Sequence, residues 1–259
     1  MGEALVAGAL RSGQYRPEEI IVSEPLAGRR SYLEERWRVC TSAGNMEAVQ
    51  GTGIIVTAVK PQVFFDVLKP LTAVISPEQL LISVAAGITT GQIESMLTGP
   101  VPVIRVMPNT PCLVGKGAAV LARGTYALEE HVETAKNLFG ALGFTAELPE
   151  GSLDGVTALS GSGPAYVFLM LEALIEGGVR VGLPRELSRE LVLHTVAGAV
   201  DMLVETGQHP AVLKEMVTSP GGTTACALEH LETEGLRGTL IKAVVRAWER
   251  ARELSGAKE

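Results

Sequence analysis

The chain has 259 residues, 46% of them apolar but only 4% aromatic, so it can bury a sizeable core built mainly from aliphatic side chains. A net charge of −7 with no basic block excludes the electrostatic footprint of a nucleic-acid binder. No uninterrupted apolar run reaches the roughly 18 residues of a membrane span, and Glu3 and Arg11 break the N-terminal stretch where a signal peptide would lie, so a cytoplasmic protein without membrane contact is expected. Cys40, Cys112 and Cys226 are far apart and the four histidines form no HxH or HxxxH pair, so reduced thiols and no metal site are expected.

The first half alternates between the two periodicities. Met1 to Ser12 reads as a helix with a narrow apolar stripe of Leu5, Ala9 and Leu10. Glu19 to Ser23 reads as a short strand, 26–35 as a charged helix and 39–41 as another short strand. Gly53 to Val59 is a continuous β-branched run, the pattern of a strand buried on both faces. Helices follow at 62–71, 90–97 and 129–142, and strands at 80–84, 102–106, 118–121 and 145–148. Strands alternating with helices imply a doubly wound, mostly parallel α/β sheet of the Rossmann-like kind over residues 1–149.

From residue 150 to 259 the strand signals stop. Helices are predicted at 164–181, 184–205, 210–217, 222–233 and 235–255, several with Pro in the first turn, where its missing N–H is not needed. The helix from Pro164 carries Val167, Phe168, Leu169, Leu171, Leu174 and Ile175 and is apolar nearly all round. A helix of that kind must be buried, and in a small all-helical unit a subunit interface is the natural place.

Ligands of open α/β sheets bind outside the carboxyl ends of the strands. Ala58-Val59-Lys60-Pro61 ends the best strand, and Pro61 keeps Lys60 extended. Ser83 to Gly87 ends the next strand with small residues that let a flat ring lie against backbone. Arg105 to Pro111 is a third strand end, a polar loop stiffened by Pro108 and Pro111. Each of these segments is also compatible with a purely structural turn. Ser23, Glu24, Arg29 and Arg30 follow the strand expected to meet an adenosine ribose. Glu24 suits a free 2′-hydroxyl, whereas Ser23 with an arginine suits a 2′-phosphate, and the strand-end position of Ser23 favours the latter. Ser160 to Tyr166 and Ser219 to Thr224 offer hydroxyls, glycines and backbone N–H groups at predicted helix starts, where a small anion can sit.

Taken together in this order, Ala58–Pro61, Arg105–Pro111, Ser160–Tyr166 and Ser219–Thr224 resemble the pyrroline-5-carboxylate reductase family, and the resemblance runs over essentially the whole chain. It implies a Rossmann domain followed by a helical domain that interlocks into homodimers, the units from which family decamers are built. It further implies reduction of a small cyclic imine, 1-pyrroline-5-carboxylate, to L-proline with hydride from NADPH, with NADH as the other cofactor the family uses. Cofactor contacts fall by resemblance on Met1, Ser23, Asn45, Ala58, Val59, Lys60, Pro61, Val84, Ala85 and Ala86. Substrate contacts fall on Ser219, Gly222, Thr223 and Thr224, with the Thr224 hydroxyl on the ring nitrogen. The family also opens with a strand and a Gly-rich turn, of which Met1-Gly2-Glu3-Ala4-Leu5 matches only the tail. About ten residues of the pattern would precede Met1, and in the strand order 3-2-1-4-5-6 their strand is central, so a gap in the sheet is expected. Two explanations suggest themselves: a reading frame begun at an internal Met, or a nucleotide binder that has lost its cradle. The alternatives in function are a non-catalytic helical dimer module with a decayed nucleotide domain, and a related imine or 3-hydroxyacid reductase. The second is disfavoured because the helix from Pro164 contains no Lys.

Overall fold

The computed structural model describes residues 1–256. Its contacts divide the chain into two compact units, Met1–Ser162 together with the chain from Ala247, and Gly163–Arg246. The division falls at Ser162, later than the 149/150 boundary read from the strand pattern.

The first unit opens with helix α1 (Gly2–Arg11), followed by β1 (Ile21–Ser23), α2 (Ala27–Trp37), β2 (Cys40–Ser42) and α3 (Asn45–Val49). β3 (Ile54–Thr57), α4 (Phe64–Leu68), β4 (Leu80–Ser83), α5 (Thr90–Glu94) and β5 (Val103–Met107) continue the alternation. β6 (Gly117–Arg123), α6 (Glu129–Gly140), β7 (Gly143–Glu147) and α7 (Leu153–Val156) complete it. The strands form two sheets, a parallel pair β1–β2 and a five-stranded sheet in the order β3-β4-β5-β6-β7. Among the described residues β1 pairs only with β2 and β3 only with β4, so the sheet is split where the strand order anticipates a gap.

Helix α1 spans that split. Leu5 and Ala9 join the core with Ile82, Ile104 and Leu121, while Val6 packs with Leu33 and Val39 beside the small sheet. The narrow stripe expected of α1 is therefore too modest, since every residue from Ala4 to Ala9 is buried. On the other face of the large sheet Phe64, Leu68, Leu81 and Val103 are wholly buried, each side chain contributing about 1.5–3 kcal/mol through apolar burial.

β6 runs antiparallel to β5, the exception in the large sheet. The reason is chain length. Residues 108–116 connect the two strands, and a parallel return needs a crossover of about a dozen residues or more. The helix expected at 62–71 shrinks to α4 flanked by 3₁₀ turns, because Pro61 and Pro70 remove backbone donors on both sides.

The second unit holds α8 (Gly163–Arg180), α9 (Arg185–Thr206), α10 (Pro210–Met216), α11 (Thr223–Thr233) and most of α12 (Leu236–Ser255). α8 has no buried residue within the chain; Phe168 is 63% and Leu169 67% exposed. Helical structure also runs back from α8 through a π-helical turn at Thr157–Gly161 to Glu150. Within Glu150–Arg180 an 18-residue window reaches a mean hydropathy of 1.4, and by length and composition this helix could cross a membrane. That corrects the sequence reading, which began the helix at Pro164 and so found no run long enough.

Candidate active site

The carboxyl ends of β3, β4 and β5 lie along one edge of the large sheet. The N-terminus of α1 meets this edge: a Cβ placed on Gly2 would lie 3.5 Å from the Ala58 Cβ. The first N–H groups of a helix have no intrahelical partner and carry partial positive charge. No side chain caps α1, so those groups are available to an anion next to Ala58. Met1 precedes them and is 38% exposed. Val59 is half-buried, and exposed Lys60 is held extended before Pro61 (φ −65°, ψ 144°).

After β4, Ala85 is buried and Ala86 exposed, and the Ser83 hydroxyl accepts the Ala85 N–H at 3.3 Å. Pro61 and Ala86 share a cavity of about 390 Å³ with Phe65, Asp154, Thr157 and Leu254. The structure therefore brings the ends of the predicted segments 58–61 and 84–86 to one space. Asp154 and Thr157 on its wall were not anticipated, because α7 carries no strong helical pattern of its own.

At the small sheet the Ser23 hydroxyl donates to Asn45 Oδ1 at 2.7 Å, joining two residues expected to meet the cofactor. The arginines that followed them in the sequence have other occupations. Arg29 is ion-paired with Glu3 and lies 4.6 Å over the Tyr32 ring. Arg30 Nη1 donates to the carbonyls of Glu24 and Pro25 at 2.8 and 2.9 Å. Glu24 in turn accepts the Leu26 N–H at 3.0 Å. Burial pushes the Glu3 carboxyl up, but hydrogen bonds from Trp37, Arg29 and Tyr32 outweigh it and hold the group below its ordinary range.

The Ser160–Tyr166 segment is corrected. It was read as a helix N-terminus with free N–H groups, but helix runs through it, and the Ser162 N–H already bonds the Thr157 carbonyl at 2.8 Å. Its partner is Asn109 of the third strand-end motif. Asn109 Nδ2 donates to the Ser160 carbonyl at 3.1 Å, and its Oδ1 accepts the Ala118 N–H at 2.9 Å. These two motifs brace each other.

The other predicted set lies in the helical unit. Gly222 is the N-cap of α11 and no side chain caps that helix, so the N–H groups of Thr223, Thr224 and the next residue face out of its end. The Gly222 N–H bonds the Ser219 carbonyl at 3.0 Å. A Cβ on Gly222 would lie 2.4 Å from Ser219 Oγ and 3.2 Å from the Ser219 carbonyl, so a larger residue there would turn the serine hydroxyl aside and press on the backbone. Ser219, Gly222, Thr223 and Thr224 thus form one loop, and among the described residues the Thr224 hydroxyl makes no hydrogen bond.

A mostly parallel sheet with a helix N-terminus at its carboxyl edge, followed by a helical unit with an anion-ready loop, is the two-domain plan of nucleotide-dependent oxidoreductases. Residues 1–87 match the family described as NADP oxidoreductase, coenzyme F420-dependent, and residues 150–254 match pyrroline-5-carboxylate reductase dimerisation. The chain is 43% identical to a pyrroline-5-carboxylate reductase of Synechocystis over 98% of its own length and 94% of that protein. It is 45% identical to one of Glycine max, with 98% and 93% covered. Among solved structures, a pyrroline-5-carboxylate reductase of Coxiella burnetii superposes with a TM-score of 0.92 at 36% identity, covering 98% and 94% of the two chains. The pyrroline carboxylate reductase of Plasmodium falciparum with NADP bound superposes at 0.87 with 34% identity and the same coverage. The chain belongs to the pyrroline-5-carboxylate reductase family.

Proposed function

We propose that the chain reduces 1-pyrroline-5-carboxylate to L-proline with NAD(P)H, the last step of proline biosynthesis, and that the Ser219–Thr224 loop holds the imine. The observation that carries this reading is the uncapped start of α11, where outward N–H groups adjoin a hydroxyl with no hydrogen-bond partner among the described residues. The substrate carboxylate takes the N–H groups, which suit an anion by both hydrogen bonding and dipole. The Thr224 hydroxyl then lies on the ring nitrogen. It orients the imine, but a threonine hydroxyl is too weak an acid to be the sole proton source, so solvent supplies the proton.

The cofactor, when bound, supplies the hydride that adds to carbon 5 of the ring. The residues at the sheet edge fit it: a bare helix end beside Ala58 for phosphate, small residues at 85 and 86 for a flat ring, and Ser23 with Asn45 for a ribose. We assign cofactor contacts to Met1, Ser23, Asn45, Ala58–Pro61 and Val84–Ala86 on those grounds. NADPH is the proposed form, on the match of residues 1–87 to an NADP oxidoreductase family.

The assembly is a homodimer through the exposed face of α8. The match to a dimerisation family over 150–254 supports covering Phe168 and Leu169 with a second copy rather than a bilayer. Three free thiols suit a reducing compartment, and we place the protein in the cytoplasm. The test is loss of NADPH absorbance on adding pyrroline-5-carboxylate, with proline identified as the product. Binding of NADPH without turnover would overturn the reading in favour of a non-catalytic module.

A further inference from the structure

We propose that Glu150 is a positioning residue for the cofactor, fastening the loop after β4 to the segment that leads into α7. This rests on the assignment of Val84–Ala86 to the cofactor. Arg105 lies mid-strand in β5, paired in register with Ser83 of β4 on one side and Ala122 of β6 on the other. Its guanidinium is buried, with the side chain only 4% exposed. A guanidinium cannot shed its proton, so a buried one needs an anionic partner. Glu150 is the ion-pair partner, with Arg105 Nη1 to Glu150 Oε1 at 3.2 Å.

The same carboxylate has a second task. Its Oε1 accepts the Thr90 N–H at 2.8 Å and its Oε2 accepts the Thr90 hydroxyl at 2.6 Å. Thr90 opens α5 and closes the loop that begins at Val84, so this loop is pinned by β4 at one end and by Glu150 at the other. Glu150 also stands just before Asp154 and Thr157, which line the cavity that Ala86 shares. One carboxylate, held against a post in the middle of the sheet, therefore ties together two walls of the space at the cofactor edge. A loop ordered in advance loses less freedom when a ligand settles on it.

The test compares Glu150→Gln with the wild-type chain by NADPH titration, by steady-state kinetics in both substrates, and by thermal melting. Gln keeps the shape but offers one acceptor oxygen and leaves Arg105 without a counter-charge. The expected result is a roughly tenfold rise in the NADPH dissociation constant and KM, from the loss of charged hydrogen bonds and of loop order, with KM for pyrroline-5-carboxylate within about twofold of wild type. Thr90→Val, which keeps the ion pair and removes one anchor, should shift NADPH binding in the same direction by less. A folded Glu150→Gln enzyme that melts lower but binds NADPH as wild type would reduce Glu150 to a structural role and overturn the proposal.

If the single variant does not fold, the double variant Arg105→Met/Glu150→Leu removes both charges together. It should show the same rise in the NADPH dissociation constant, and wild-type affinity in it would overturn the proposal equally. Ala86→Asp reports separately on the cofactor edge, since Ala86 is exposed and remote from the ion pair in sequence. Lost NADPH binding there with wild-type binding in Glu150→Gln overturns the clamp alone. Wild-type binding in Ala86→Asp overturns the assignment of the edge, and with it the route by which Glu150 would act.

Discussion

Replacing Thr224 by Ala removes one hydroxyl from the second position of α11. In the structure that hydroxyl caps nothing: the N-cap is Gly222, and no side chain accepts from the helix start. Its removal should leave stability within about 0.5 kcal/mol of wild type, as for other partly exposed substitutions away from structural features. The chemistry predicts a larger effect. The ring nitrogen gains positive charge as it becomes able to accept hydride, and a hydrogen bond to a charged group contributes about 1.5–3 kcal/mol. That converts to a loss of roughly ten- to a hundredfold in kcat/KM for pyrroline-5-carboxylate. NADPH affinity should stay at the wild-type value, because the residues assigned to the cofactor lie in the other compact unit. Thr224→Ser keeps the hydroxyl and should retain most activity. The assay is steady-state kinetics in both substrates with a melting curve for each variant. A Thr224→Ala enzyme with wild-type kcat/KM refutes the role; a lowered melting point with unchanged turnover would mean that the residue only supports the helix.

Three other perturbations test the remaining parts. Phe168→Glu puts a charge on the exposed face of α8 and should convert the dimer to monomer in sedimentation at low micromolar concentration; an unchanged dimer would place the interface elsewhere. Gly222→Ala brings a Cβ to within 2.4 Å of Ser219 Oγ and 3.2 Å of the Ser219 carbonyl, so the loop must shift and KM for the imine should rise. Wild-type KM in Gly222→Ala would show that the turn is not the carboxylate cradle. Glu3 has a folded-state pKa below its ordinary value of 4.5, so it adds stability above that pH and loses it as pH falls through the depressed value. Glu3→Gln should therefore melt lower than wild type at pH 7, with the gap closing in acid; a gap independent of pH would mean that the charge of Glu3 does not matter.

Much of the site can be read without coordinates because it depends on local chemistry. Lys60 is extended because Pro61 follows it, and the glycines and hydroxyls of Ser219–Thr224 mark a helix start, which α11 supplies. Residues that act across the fold left no such mark. Glu150 reads as one more acid in a loop until Arg105 and Thr90, 45 and 60 positions away, are seen on it. Arg29 and Arg30 suggested a phosphate site by composition, yet Glu3 and two backbone carbonyls take up their donors. The Ser160 segment misled because Ser, Gly and Pro signal a helix start, whereas Asn109 supports the Ser160 carbonyl and lets helix pass through as a π-turn.

By itself the sequence determined the alternation of strands and helices, the change to an all-helical half and the apolar excess of α8, since periodicity follows from residues three or four apart. The position of the split in the sheet came instead from the family resemblance, whose opening strand is central in the order 3-2-1-4-5-6. Tertiary structure alone decided that β6 would turn back antiparallel, that α1 would be buried between two sheets, and that the helix of residue 164 would begin at Glu150. Each of those outcomes depends on which surfaces meet at long sequence separation, where burial and hydrogen-bond satisfaction outweigh the fraction of a kcal/mol per residue that local propensity supplies.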